Sequence, residues 1–161
     1  MSKTLLFQGD SITDCGRNRE NFSDTGKGYV HLLASRLDLA YVENPMRIWN
    51  RGISGNRTKD LLARWQEDCL DLKPDILSIY IGVNNTWRRY DSDDPTPTKI
   101  FESELNDLLT RTFEQTDCTP AHSILLEPFL LDVPKGEKAH WMEALGPKQA
   151  VIRKAATTFG T

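Results

Sequence analysis

Residues 75–81 (DILSIYI) constrain the fold of this 161-residue chain more than any other stretch. The run is apolar enough to be covered on both faces, as the central strand of a parallel sheet is. It ends in a polar turn, Gly82-Val83-Asn84-Asn85. A strand of this kind needs parallel neighbours, and the rest of the chain supplies them in alternation with helices.

Residues 4–8 form a first apolar run without helical period, followed by a polar loop over 10–28 with Gly16, Gly26 and Gly28. Residues 29–39 carry a helical stripe of Tyr29, Leu32, Leu33, Leu37 and Leu39. A second short strand over 46–50 ends in the turn Arg51-Gly52-Ile53-Ser54-Gly55-Asn56. The next helix spans 57–72, with Leu61, Leu62, Trp65, Cys69 and Leu72 on one face, Asn56 or Thr58 as its cap, and Lys73-Pro74 as its end. After the 75–81 strand, Trp87-Arg88-Arg89-Tyr90 and the acidic, proline-containing stretch 91–97 read as a long loop. A helix over 98–115 has its stripe at Phe101, Leu105, Leu108, Leu109 and Phe113. Residues 122–129 give a fourth strand broken by Pro128, and 130–146 a second long loop. Pro147 suits the first turn of a last helix, whose face is Val151, Ile152, Ala155 and Phe159 and whose stop is Gly160.

Strand–helix alternation of this kind predicts an open parallel α/β sheet in one domain, residues 1–161. Such sheets hold their sites in the crevice beyond the C-terminal strand ends, where the three polar turns lie. With 39% hydrophobic and 27% charged residues the composition is that of an ordinary globular domain, and a net charge of −3 gives no footprint for nucleic acid. No apolar run approaches the roughly 20 residues that span a bilayer. Cys15, Cys69 and Cys118 are an odd, widely spaced set without a CxxC pair. They predict reduced thiols in a cytoplasmic protein, and neither a disulfide frame nor a zinc site.

The three turns hold complementary parts of an acyl-transfer site. Ser11, in Gly9-Asp10-Ser11-Ile12-Thr13, offers a hydroxyl nucleophile at the end of the first strand. Gly55 precedes a helix start, where a free N–H and the helix N-terminus both favour developing negative charge. Asn84 can aim an amide N–H at the same place. With the N–H of Ser11 these make a three-donor oxyanion hole, each donor worth about 3 kcal/mol of barrier. The same turns give Asp10 a turn-holding role, with a place against substrate as its alternative; Arg51, Trp87 and Arg88 are further substrate-binding candidates, and Trp87 and Arg88 equally suit a packed loop cover. A metal phosphatase built on Asp10 and Asp14 lacks any further acidic ligand motif.

Three stretches together resemble the sequence blocks of the SGNH (GDSL-type) serine esterases and acylhydrolases: Gly9-Asp10-Ser11-Ile12-Thr13, residues 50–58 (NRGISGNRT), and Ile81-Gly82-Val83-Asn84-Asn85. The resemblance implies a flavodoxin-like sheet of order 2-1-3-4-5, with Ser11 as nucleophile and Gly55 and Asn84 as oxyanion donors. It further implies hydrolysis of a carboxylic ester through an acyl-enzyme, without metal or organic cofactor. The polar loops bearing Arg and Trp favour a short acyl group on a carbohydrate or other polar alcohol.

Two departures from the family pattern stand out. Asn85 occupies the place of the usual aspartate in the third block, which implies a small change in turn geometry and none in mechanism. The family's base is a histidine with an aspartate three residues before it, in a loop after a fifth strand, and no Asp-x-x-His occurs here. The expectation is therefore a family member lacking its fifth strand, catalytic dyad and last helix. Glu137-Lys138-Ala139-His140 mimics the pattern; a charged loop segment of this kind is ordinarily just solvated, and the alternative is that His140, with Glu137, serves as a substitute base, while His31 and His122 read as structural or surface residues. The alternative function is a non-catalytic α/β scaffold that keeps the oxyanion pocket as a binding site. An exposed edge on the fourth strand predicts self-association or element swapping.

Overall fold

The computed structural model describes residues 2–130 and 141–161. Four parallel strands, β1 (Thr4–Gly9), β2 (Arg47–Asn50), β3 (Ile76–Tyr80) and β4 (Ser123–Leu126), form one sheet in the order β2-β1-β3-β4. That is the first four strands of the expected order. β1 pairs with β2 from Thr4↔Arg47 to Phe7↔Asn50 and with β3 from Leu5↔Ile76 to Gly9↔Tyr80. The C-terminal ends of these three strands are therefore level.

Helices α1 (Ser11–Asp14) and α2 (Tyr29–Ala40) follow β1, and α3 (Thr58–Trp65) follows β2. α3 runs on into a π-helical turn, Gln66–Leu70. α4 (Val83–Asp91) and α5 (Thr98–Gln115) lie between β3 and β4, and α6 (Trp141–Phe159) closes the described chain. Among the described residues no helix is long and apolar enough to cross a membrane.

The main core lies on one face of the sheet. There Leu6, Leu77, Ile79 and Ile81 meet Leu61 and Trp65 of α3, Phe101, Leu105, Leu108 and Leu109 of α5, and Val151, Ile152 and Ala155 of α6. Among the described residues, the opposite face has only α2, whose Val30 packs with Leu5 and Phe7. The stripe expected on α2 is only partly its inner face: Tyr29 and Leu37 pack there beside the buried Val30 and Ala34, whereas Leu32, Leu33 and Leu39 are exposed. One helix cannot cover four strands, so its outer leucines find no wall to pack against.

Two further expectations are corrected. Residues 83–91, read as a turn followed by loop, form α4, whose buried side is the polar set Asn84, Asn85 and Thr86. An apolar stripe was the wrong signal there, because this helix buries hydrogen-bonding groups. The last helix begins at Trp141, six residues before Pro147, so that proline sits within α6 and not at its start.

Candidate active site

β1 delivers the chain into a sharp helical start. Asp10 is buried and caps α1, its Oδ1 accepting the N–H of Ile12 at 3.0 Å, and its carbonyl accepts the N–H of Asp14 at 2.8 Å. The cap leaves Ser11 exposed as the first residue of α1. Burial pushes the Asp10 carboxyl up from 3.8 to about 6, against the pull of the Ile12 N–H.

The turn after β2 is stitched to this start. Ile53 donates to the Gly9 carbonyl at 3.1 Å, and Ser54 donates to the buried carboxylate of Asp14 at 2.9 Å. Asn50 binds three ways: Nδ2 donates to the carbonyls of Thr13 (2.6 Å) and Thr25 (2.9 Å), while Oδ1 accepts from Gly52 N–H (2.9 Å). A Cβ on Gly52 would come within 2.4 Å of the Asp14 nitrogen, so only glycine lets the two turns close. Gly55 sits at φ +84°, a left-handed backbone that glycine adopts without strain. Among the described residues, none accepts the N–H of Ser11 or of Gly55.

α4 brings the third part. Asn84, buried in its first turn, donates through Nδ2 to the Asn56 carbonyl at 3.0 Å, which fixes the amide beside the 51–57 turn and leaves its second N–H free. Asn85 is held on the other side: Nδ2 donates to Thr58 Oγ1 (2.9 Å) and Oδ1 accepts from Thr58 N–H (3.3 Å). Ser11, Gly55 and Asn84, 73 positions apart in sequence at the extremes, thus share the C-terminal edge of three neighbouring strands. A hydroxyl and unpaired N–H donors on one edge of a sheet are the group types that acyl transfer uses.

Arg88, one helical turn beyond Asn84, holds Asp91 through Nη1 and places Nη2 3.7 Å from where a Gly55 Cβ would be. Trp87 beside it is exposed. Asp10 and Arg51 are engaged elsewhere. Asp10 is the cap of α1, and Arg51 pairs with Asp68 while its guanidinium lies 4.2 Å above the Phe22 ring. Asp14, the proposed second carboxylate of a phosphatase, is occupied by Arg19 and the Ser54 N–H. Glu137 and His140 lie outside the described residues. His31 bonds Thr25 Oγ1 (3.1 Å), and His122 bonds Thr119 Oγ1 (3.2 Å) at the opposite, N-terminal end of β4.

A polar network beneath the site was not anticipated. Asp68, on the π-helical turn, pairs with both Arg51 and Arg64, and its carbonyl accepts Gln8 Nε2 at 2.6 Å. Arg64 Nε also donates to Asn56 Oδ1 at 2.9 Å, so the network reaches the residue that anchors Asn84. The available signals were Gln8 inside an apolar strand and Arg64 four residues before Asp68 on one helix.

A four-stranded parallel sheet that presents a serine, a glycine and an asparagine at the C-terminal ends of three adjacent strands places the chain in the class of open α/β folds. Within that class the chain belongs to the GDSL-like lipase/acylhydrolase family, whose model matches residues 7–161. It is 41% identical over 132 residues to an acetylxylan esterase of Geobacillus stearothermophilus, a match covering 80% of this chain and 60% of that relative's length. A crystal structure of an acetylxylan esterase from the same organism superposes with a TM-score of 0.85 at 34% identity, over 99% of this chain and 74% of the other. A protein from Parabacteroides merdae assigned to the GDSL-like lipases superposes with a TM-score of 0.90 at 36% identity, over 100% of this chain and 77% of the other.

Proposed function

We propose that this chain carries the nucleophile and oxyanion side of a serine esterase that removes a short acyl group, acetyl above all, from a carbohydrate or similarly polar alcohol. The observation that carries this reading is the placement of exposed Ser11, of Gly55 and of the anchored Asn84 amide at the C-terminal ends of three neighbouring strands, with the N–H groups of Ser11 and Gly55 unpaired among the described residues. In the reaction, Ser11 Oγ attacks the acyl carbon as its proton passes to a base. The carbonyl π electrons move onto oxygen, and that oxyanion takes the three N–H donors. Collapse expels the alcohol and leaves an acyl-enzyme, which water hydrolyses by the same route. Arg88, beside Gly55, offers a cation to a sugar, and the exposed edge of Trp87, whose ring packs on Trp141, adds an aromatic surface next to it. The acetylxylan esterase relatives support the acetyl-carbohydrate class.

A second reading is favoured by one observation: His31 and His122 both bond threonine hydroxyls away from Ser11. On that reading the pocket binds esters or anions without turning them over. p-Nitrophenyl acetate hydrolysis by the chain and by Ser11→Ala separates the two. A rate at least ~100-fold lower in the variant supports catalysis, and equal rates select the binding scaffold. If Ser11 is active, His140→Ala tests His140 as its base, and an unchanged rate eliminates it. We propose further that a second copy of the chain associates through the open sheet face and the β4 edge, where Ile124 and Phe129 are exposed.

A further inference from the structure

A second cavity, of about 340 Å³, lies behind α4, away from the Ser11 side, between that helix, the start of α5 and α6. Its wall includes Thr86 and Arg89 of α4, Thr96 and Thr98, and Glu143 and Lys148 of α6. That volume is at the lower end of the roughly 300–1,000 Å³ usual for small-molecule sites. Three independent features of the wall ask for the same partner.

The first is a buried cation. Lys148 is 4% exposed, yet its ammonium makes one hydrogen bond, to the Ala144 carbonyl at 3.3 Å. Among the described residues no carboxylate pairs with it. Lysine is almost never buried so deeply without a counter-charge. The nearby charge is the wrong one: burial and then the Arg89 guanidinium both push the ammonium pKa down. Glu143 shares the wall but forms an ion pair with neither cation.

The second is a hydroxyl without a partner. Thr86 is fully buried, and among the described residues its Oγ1 has no hydrogen-bond partner. The third is the N-terminus of α5, an 18-residue helix that opens at Thr98 with Pro97 as its cap residue. Proline has no side-chain acceptor and the first turn of α5 holds no acidic residue, so neither the cap nor the turn offsets the leading N–H groups and the positive end of the helix dipole.

Two cations, a hydroxyl donor and a helix N-terminus share one small cavity, and what they lack is an acceptor with several oxygens. We propose that this cavity binds a small oxyanion of the phosphate or sulfate type, held by Lys148, Arg89, Thr86 and the first turn of α5. The proposal is independent of the esterase reading. Its position gives it a structural consequence: Asn85 lines the same cavity and lies next to Asn84, so an anion there braces the first turn of α4.

Isothermal titration calorimetry and thermal unfolding of the full chain in potassium phosphate, against potassium chloride of equal ionic strength, test the site. The expected result is one saturable phosphate site per chain and a rise in Tm beyond that in chloride, because the ligand binds the folded state alone. Sulfate gives the same saturable rise. Lys148→Met abolishes the phosphate response and has a Tm in chloride at or above that of the parent, since an unpaired buried charge has been removed. Arg89→Gln, on the exposed rim, leaves the chloride Tm unchanged and weakens phosphate binding about tenfold. The proposal is overturned if phosphate does no more than chloride, or if Lys148→Met responds as the parent does. Should Lys148→Met fail to fold, unchanged phosphate affinity in Arg89→Gln overturns it, and the tenfold loss upholds it.

Discussion

Thr58 has a single hydroxyl proton, and where that proton goes decides which residue can stand at position 85. It is given to the Glu104 carboxylate, so Thr58 Oγ1 is left as an acceptor and takes the Asn85 Nδ2 N–H at 2.9 Å. An aspartate there has no N–H to offer and sets a second carboxylate against the same oxygen in a buried place. Asn85→Asp is expected to lose about 1–3 kcal/mol of stability by urea denaturation at pH 7. Adding Glu104→Gln supplies a donor to Thr58 and recovers much of the loss; no recovery in the double variant rules out this account. Asn85 is thus explained by its neighbour on α5, not by the oxyanion chemistry beside it. Asp10 carries a pH prediction. Its carboxyl is raised from 3.8 to about 6 by burial. The folded state therefore binds more proton than the unfolded state between those values, and stability falls as pH rises through the window. Asp10→Asn keeps an acceptor for Ile12 and removes the ionisation. The variant is expected to match the parent below about pH 4 and to exceed it above about pH 6 by at most ~3 kcal/mol. A difference that stays flat with pH in denaturant titrations contradicts it.

The same contrast between neighbours and local signals explains which elements were legible. α5 was read at its full extent because Phe101, Leu105, Leu108 and Leu109 repeat at helical spacing and are buried as that spacing requires. The strand ends holding Ser11, Gly55 and Asn84 were legible too, since each follows an apolar run and is marked by glycine or asparagine. α4 was not, because the groups it buries are polar: Asn84, whose amide bonds the Asn56 carbonyl, Asn85, whose partners are Thr58 of α3 and Thr96, and Thr86. The helix over 57–72 was recognised, but its π-helical turn was not. There the Asp71 N–H reaches back five residues to the Gln66 carbonyl at 2.9 Å. The turn accompanies the burial of Asp68, which holds two arginines from different elements. Breaking such a partnership leaves two largely buried guanidinium groups without their carboxylate. Asp68→Ala is expected to cost about 3 kcal/mol, a large effect for one substitution. Chemical denaturation gives the value directly; a loss below about 1 kcal/mol, as surface pairs give, would refute a structural role for the network.

At the scale of the whole molecule, the sheet is covered unequally. α3, α5 and α6 bury one face, while on the other, among the described residues, α2 lies over β1 and β2 and no helix packs over β4. The uncovered side is an apolar hollow of about 980 Å³, whose walls include Leu5, Phe7, Leu33, Leu37, Ile76 and Ile124. Ile124 is 52% exposed and Leu33 42%, and among the described residues β4 has a single strand neighbour, β3. Hydrophobic side chains in one open groove favour association, and an unpaired parallel edge beside them gives a second chain backbone groups to bond. Sedimentation velocity across a hundredfold range of concentration is expected to show reversible growth from monomer to a larger species. Ile124 stands on the open face, so Ile124→Lys puts a charge into that contact without touching the main core. It is expected to shift the equilibrium to monomer while changing the unfolding free energy of the monomer by less than about 0.5 kcal/mol. A parent chain that remains monomeric throughout overturns the prediction. So does an Ile124→Lys variant that associates as strongly as the parent, because the contact must then lie on another surface.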